Sequence, residues 1–189
     1  MSRPARIMIL CEDRQQYSFV RHFLMNRGCG PDDIRKPRRR SNGGSGEQYV
    51  REQFPVELKA YRSQANHQLG IGLVVVIDAD RQKVVDRIRA FDVACDEHGV
   101  PRRRQDERVL YVIPKRNIET WLAYLCGETR GETVDEKKKF RKYDYPSDCH
   151  PDADKLDAMC KAGKLDPVPP PSLELCCVEF QEFWRLLTK

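Results

Sequence analysis

The sequence predicts an α/β protein with a central parallel sheet flanked by helices and a helical C-terminal extension. The first observation is an unbroken apolar run over residues 70–77 that ends in Asp78-Ala79-Asp80. A continuous run of Val and Ile, without alternation, is typical of a strand buried on both faces. The second observation is the order of the patterns: short apolar strands alternate with amphipathic helices, as in a parallel sheet with helical crossovers.

The composition is that of a heavily charged chain with an ordinary apolar content. Its 189 residues are 40% apolar and 33% charged, and they carry a formal net charge of +5. This length is sufficient for one medium-sized domain with a substantial core. No apolar run reaches the length of a membrane span, and Arg3 and Arg6 lead straight into the first strand with no signal-peptide segment between. We therefore expect a cytoplasmic protein that does not enter a membrane.

Eight cysteines are scattered along the chain, and no two of them form a CxxC pair. In a chain of this size without an export signal, free thiols are the expected state. Cys149, His150 and Cys160 are the best candidates for a zinc site, but their spacing is not that of a structural one. We therefore expect free thiols and no zinc.

The first half of the chain alternates strands and helices. Residues 5–11 predict a strand, and residues 16–24 predict a helix because their apolar side chains share one face. Residues 33–36 predict a short second strand. Residues 46–66 have helical spacing, and Pro55 within them is expected to kink the helix or divide it in two.

The second half of the predicted core follows the apolar run. Residues 82–98 predict an amphipathic helix, and residues 108–113 predict another buried strand. The next helix extends to Leu125, with Asn117 as its expected N-cap. Four strands with helices between them complete the predicted sheet.

The chain changes character after this core. We divide it into a catalytic domain at residues 1–126 and a C-terminal extension at residues 127–189. Short helices are expected at residues 152–162 and 175–187, separated by a stiff proline-rich spacer at residues 167–171. The apolar stripe of the last helix must pack on the core or on a partner, and the core is the better candidate.

Charged side chains follow the ends of three predicted strands. Glu12 follows the first strand, Asp78 and Asp80 follow the third, and Lys115 and Glu119 follow the last. The carboxyl ends of neighbouring parallel strands lie at one edge of the sheet, about 5 Å apart. These residues are therefore candidates for one catalytic site.

Such a site has the ligand chemistry of a hard cation. Glu12, Asp78 and Asp80 offer oxygen ligands with no histidine nearby in the sequence, which favours Mg²⁺ or Mn²⁺. Lys115 or Arg116 would offset negative charge in a transition state at phosphorus. Glu12 is a candidate general base or a further metal ligand.

Each of these residues also has a purely structural interpretation. Glu12 and Glu119 suit positions beside helix N-termini, and Asp80 suits the N-cap of the following helix. Lys115 and Arg116 can be ordinary surface charges. The pattern as a whole favours the metal site because the acids follow successive strand ends.

A basic segment precedes the second helix. It is followed by a glycine-rich stretch at residues 41–46, and its cationic residues are Arg35, Lys36, Arg38, Arg39 and Arg40. Cationic side chains on a flexible loop suit a polyphosphate backbone. The alternative is a solvated charged loop.

The strand that ends at Glu12 and the later strand that ends at Asp78-Ala79-Asp80 resemble the Toprim domain. Residues 113–122, with the sequence Ile-Pro-Lys-Arg-Asn-Ile-Glu-Thr-Trp-Leu, are similar to the block after Asp-x-Asp in small stand-alone Toprim-like proteins of bacterial genomes. These are often associated with phage defence and encoded beside an ATPase. The resemblance covers residues 5–125 and implies a Toprim-like sheet there.

The resemblance also implies roles for individual residues. Glu12 matches the catalytic acid–base or metal ligand, Asp78 and Asp80 match the metal-binding aspartates, and Glu119 matches the additional acid of the OLD-like branch. The glycine that commonly follows the glutamate in topoisomerases and primases is missing, since Asp13 stands there. This departure favours the nuclease-like branch.

The function implied is that of an Mg²⁺-dependent nuclease acting on DNA or RNA, as the effector of an anti-phage defence system. It implies an ATPase partner, because this chain has no Walker A motif, and it leaves homo-oligomerisation open. One alternative is a non-catalytic subunit that binds nucleic acid or assembles an ATPase complex. Another is a phosphatase of the haloacid dehalogenase type, which is disfavoured because its Asp-x-Asp normally ends the first strand.

Overall fold

The computed structural model describes residues 6–37, 44–65, 70–128, 132 and 145–189. These ranges contain four strands and six α-helices, with a short 3₁₀ helix at Pro146–Cys149. In chain order they are β1 Arg6–Cys11, α1 Arg14–Asn26, β2 Ile34–Arg35, α2 Gly46–Ala65, β3 Ile71–Val76, α3 Val84–Glu97, β4 Val109–Val112, α4 Ile118–Leu125, α5 His150–Lys161 and α6 Pro171–Leu187. The chain is therefore an α/β protein, and the predicted class is confirmed.

All four strands are parallel, in the order β2-β1-β3-β4. The central pair, β1 and β3, is in register over six residues, from Arg6 opposite Ile71 to Cys11 opposite Val76. Every residue of β3 is buried, as the unbroken apolar run predicts. Helices cover both faces, so the molecule has three layers.

The sheet divides the core into two apolar clusters. On one face, Ile9 and Val74 pack with side chains of α1, α4, α5 and α6. On the other face, Leu73 and Val75 pack with side chains of α2 and α3. None of the helices in the ranges described combines the length and apolarity needed to cross a membrane.

The last helix lies directly on the sheet over Gly72. A Cβ atom at this position would come within 2.8 Å of Phe183 Cζ and 3.2 Å of Leu187 Cδ1. Only a glycine permits α6 to approach the strand this closely. The apolar stripe of α6 is therefore buried against the chain's own core.

The structure differs from three local interpretations of the sequence. Pro55 does not divide α2, because Phe54 and Leu58 on either side of it are fully buried in one cluster and hold both halves of the helix. The N-cap of α3 is Lys83 rather than Asp80. The proline-rich spacer is shorter than predicted, because Pro171 is the first residue of α6, a position that suits proline.

Candidate functional site

The carboxyl ends of β1 and β3 form the point at which the order of the sheet reverses. From β1 the chain moves outward to β2, and it then crosses to the opposite side of β1 to form β3 and β4. In open parallel sheets this reversal opens a crevice in which ligands bind. Glu12 is the first residue after β1, and Asp78 is the second after β3.

Glu12 and Asp78 are in direct contact. The backbone N–H of Asp78 donates to Glu12 Oε1 at 2.6 Å, although the two residues are 66 positions apart in the chain. The pairing of β1 with β3 produces this contact, because it aligns the two strand ends. The expectation that these two acids meet at one edge of the sheet therefore agrees with the geometry.

The carboxylate of Asp78 is buried and held by two donors. Asp78 is 3% exposed. Its Oδ1 accepts from Gln16 Nε2 and from the backbone N–H of Ile118, both at 3.0 Å. Ile118 is the first residue of α4, and the amides at a helix N-terminus favour negative charge. Asp78 is thus fixed in orientation in the structure.

Gln16 links the two strand ends, and the sequence analysis missed it. This fully buried residue donates to Asp78, while its Oε1 accepts from the backbone N–H of Glu12 at 3.0 Å. Its own N–H donates to Asp13 Oδ1, the N-cap of α1. An acidic N-cap with a glutamine three residues later is the capping-box pattern, and this spacing was the available signal.

Asp80 lies in a loop that is joined to the loop after β4. The N–H of Ala79 donates to the carbonyl of Pro114 at 2.9 Å, and that of Asp80 donates to the carbonyl of Arg116 at 2.8 Å. The backbones of Asp80 and Arg116 both lie in the left-handed region, with φ angles of 51° and 77°. Such a backbone is unfavourable for arginine and is concentrated at functional sites.

Arg87 supplies a buried cation that the sequence analysis also missed. Its Nη2 donates to Asp80 Oδ2 at 3.0 Å, and its Nη1 donates to Glu47 Oε1 at 2.8 Å. The side chain of Arg87 is 6% exposed, whereas that of Asp80 is 54% exposed. Arg87 therefore joins α3 to the first turn of α2 and compensates Asp80 in the structure.

The start of α2 also approaches the acidic pair. A Cβ atom on Gly46 would lie 2.8 Å from Glu12 Cβ and 3.0 Å from the Glu12 carbonyl oxygen. The glycine-rich stretch predicted from the sequence therefore ends against the site. This close backbone approach requires glycine at position 46.

Three further predicted residues follow β4, with Lys115 and Arg116 in the loop and Glu119 in α4. Lys115 Nζ donates to the carbonyl of Gln82, so it belongs to the joined loops beside Asp80. Glu119 lies in the first turn of α4 and is 7% exposed. Arg116 contributes its carbonyl to Asp80, as described above.

The basic segment is only partly described. Arg35 is the exposed last residue of β2, and Lys36 Nζ lies 5.1 Å from the ring centre of Tyr17. Three predicted residues of the segment, Arg38, Arg39 and Arg40, lie outside the ranges that the structure describes.

The acids fit a divalent cation in chemistry but do not form a closed cage. In the described part of the chain, no three His, Cys, Asp or Glu side chains are grouped closely enough to hold a metal ion. Cys149, His150 and Cys160, which were considered as a zinc site, do not form such a group. Mg²⁺ commonly uses one or two carboxylates, with water and substrate phosphate completing its shell. The carboxylates of Glu12, Asp78 and Asp80 are the donors available for such an open site.

Comparisons with protein families, with curated proteins and with solved structures found no match.

Proposed function

We propose that the chain is an Mg²⁺- or Mn²⁺-dependent nuclease of Toprim-like architecture that cleaves phosphodiester bonds in DNA or RNA. The main support is the contact of Glu12 with Asp78 at the reversal point of the sheet, beside the half-exposed Asp80. Oxygen donors at that crevice suit the chemistry of phosphoryl transfer. The resemblance of residues 5–125 to Toprim domains supports the same reaction.

The buried Asp78 and the half-exposed Asp80 would have different roles in the site. One or two of the carboxylates of Glu12, Asp78 and Asp80 would hold the ion, with water and substrate phosphate completing its shell. When bound, the ion would polarise a phosphoryl oxygen of the substrate. Asp78 is already fixed by Gln16 and Ile118, so it orients the site without reorganisation. On binding the ion, the carboxylate of Asp80 would give up its ion pair with Arg87.

The nucleic acid would reach the crevice along its basic side. Lys36 and Arg35 lie near the end of β2, which adjoins β1, and the segment with Arg38 to Arg40 connects them to α2 beside Glu12. Their positive charge suits the phosphate backbone. Arg116, whose carbonyl accepts from the N–H of Asp80, is a further candidate for a phosphate contact.

The cellular setting follows from the Toprim resemblance alone. We infer a cytoplasmic effector of anti-phage defence that works with an ATPase subunit. Co-purification with the product of a neighbouring gene would test this partner.

Cleavage of labelled DNA and RNA during Mn²⁺ and Mg²⁺ titration tests the reaction. We expect cutting by the wild-type chain and a loss of at least about 100-fold in Glu12→Gln and in Asp80→Asn, because each removes a ligand charge. The matched control is Asp106→Asn, whose exposed acid lies outside the site. Equal cutting by the site variants and the control would exclude this site as the catalytic centre.

A non-catalytic nucleic-acid-binding or assembly subunit is the second candidate. The ion pair between Arg87 and Asp80 supports it, since it compensates the acid without a metal. This candidate predicts binding of nucleic acid but no cleavage with either metal, with or without the ATPase.

A further inference from the structure

Two cysteine thiols from different helices lie side by side far along the chain from the carboxylates. Cys160 is near the end of α5 and Cys177 is in the middle of α6, and their Sγ atoms are 3.3 Å apart. Both are free thiols in partly exposed residues. A disulfide has an S–S distance of about 2.05 Å, so the sulfur atoms need to approach by only about 1.2 Å.

Arg27 gives this pair a cationic neighbour. Its guanidinium lies 5.4 Å from the ring centres of both Phe23 and Phe180, and its Nε is 2.6 Å from Asp157 Oδ1. These contacts hold the cation between α1, α5 and α6. A thiolate is stabilised by such a neighbour.

The two thiols of the pair differ in acidity. The hydrogen bond with Cys177 lowers the pKa of Cys160, and Arg27 lowers it further. The same hydrogen bond, together with burial, raises the pKa of Cys177. Either sulfur can donate in the contact between them, so Arg27 decides the assignment: it reaches Cys160 through its charge and a side-chain hydrogen bond, and Cys177 through its charge alone. We therefore assign Cys160 as the nucleophile and Cys177 as the resolving thiol.

The neighbouring Cys176 is not suited to this chemistry. Burial raises the pKa of its thiol, which lies against the carbonyl of Tyr111 at 3.9 Å. Adjacent residues on a helix point about 100° apart. Cys176 therefore faces β4 whereas Cys177 faces α5.

We propose that Cys160 and Cys177 form a reversible redox site, in which a peroxide oxidises the pair to a disulfide between α5 and α6. The Cys160 thiolate attacks the peroxide and becomes a sulfenic acid with release of hydroxide. The Cys177 thiol then displaces water from that sulfenic acid, which forms the S–S bond. The peroxide accepts the two electrons, and a dithiol reductant returns both thiols.

The disulfide would fix the position of the last helix. It closes a segment in which the two cysteines are 17 positions apart and ties α6, which covers Gly72, to α5. Cross-linking restricts the unfolded chain more than the folded one. We expect oxidation to raise the melting temperature by about 6 to 12 °C, and dithiothreitol to reverse this rise.

Peptide mapping of the full-length folded chain tests the site directly. After treatment with hydrogen peroxide and alkylation of the remaining thiols, trypsin should yield Leu156–Lys161 covalently linked to Leu165–Arg185. The linkage should be absent when the oxidised chain is reduced before alkylation and digestion, and when the peroxide is omitted. Absence of the linked peptides from the folded, peroxide-treated wild type would overturn the proposal.

Single substitutions identify the sulfur atoms, because both Cys176 and Cys177 lie in the second peptide. Cys176→Ser should keep the linkage, and Cys177→Ser should lose it. The exposed Cys126 provides a further control, since Cys126→Ser should behave as the wild type. A linkage that persists in Cys177→Ser, or disappears in Cys176→Ser with folding intact by circular dichroism, would contradict the assignment.

Discussion

Gln16 shows how one buried amide can hold two strand ends in fixed relation. An amide group offers a donor and an acceptor, and Gln16 uses one for the carboxylate of Asp78 and the other for the backbone of Glu12. Neither a carboxylate nor a hydrocarbon of similar size can do both. The geometry of the acidic pair therefore depends on this residue.

Replacing Gln16 by alanine should destabilise the chain by about 2 to 3 kcal/mol, because two buried polar groups lose their partner and a cavity remains. The measurement is the free energy of unfolding from urea denaturation. Gln15→Ala is the matched control on the same helix, since Gln15 Nε2 is buried without a hydrogen bond in the described structure. A loss in Gln16→Ala no larger than in the control would contradict this role.

Arg87 is expected to compete with a metal ion for Asp80. Its replacement by methionine leaves the site more negative, so we expect Mn²⁺ to bind several-fold more tightly while stability falls by about 1 to 2 kcal/mol. Titration calorimetry measures the affinity. Arg89→Met, an exposed position on α3, serves as the control, and unchanged or weaker Mn²⁺ binding in Arg87→Met would count against the competition.

At the scale of elements, α6 is connected to the site through Ser172. The Oγ atom of Ser172 accepts from Trp121 Nε1 at 2.9 Å and from the backbone N–H of Lys115 at 3.0 Å. Ser172 is the second residue of α6, Trp121 is in α4, and Lys115 is in the loop beside Asp80. The C-terminal helix thus contributes to the position of the loop after β4.

Ser172→Ala should leave these two N–H groups unsatisfied and cost about 1 to 3 kcal/mol of unfolding free energy. Hydrogen exchange should also show faster exchange of the Lys115 amide. The control is Ser63→Ala, an exposed serine on α2. An unchanged Lys115 exchange rate in the Ser172 variant would show that α6 does not support this loop.

At the scale of the whole molecule, His150 makes the attachment of α5 to α1 sensitive to pH. Its Nε2 lies 3.0 Å from Ser18 Oγ, and its ring stacks on His22 with centres 4.1 Å apart. Burial lowers the pKa of His150, and His22 and Arg21 lower it further, while Asp154 and Asp148 oppose this shift. The neutral imidazole is therefore favoured in the folded chain.

The unfolded chain binds this proton more readily, since its histidine pKa is the ordinary 6.5. The stabilising contribution of neutral His150 is therefore fully present above about pH 6.5 and is lost as the pH falls through the lowered folded value. Urea denaturation at pH 7.5 and pH 5.5 should show this loss in the wild type. His150→Gln should show a smaller difference between the two pH values, and an equal difference would assign the effect to other groups.

The sequence predicts the sheet well because its signals are local. The run before Asp78 identifies a doubly buried strand, whereas nothing in the glycine-rich stretch indicated that Gly46 would pack against Glu12. The contacts of Gln16 and Arg87 could not be predicted in the same way, because they join distant parts of the chain. Gln16 bonds to Asp78, 62 positions away, and Arg87 bonds to Glu47, 40 positions away. The left-handed backbone of Arg116 also has no signal in its residue type, whereas a glycine there would have had one.

The pairing of β1 with β3 has a consequence for how the chain reaches its working form. Helices can appear early from neighbouring residues, but the crevice requires segments separated by 66 positions to meet. An incompletely folded chain can thus have most of its helices and still lack the crevice in which Glu12 and Asp78 meet. We therefore expect this pair of carboxylates to be among the last features of the fold to form, after most of the helices.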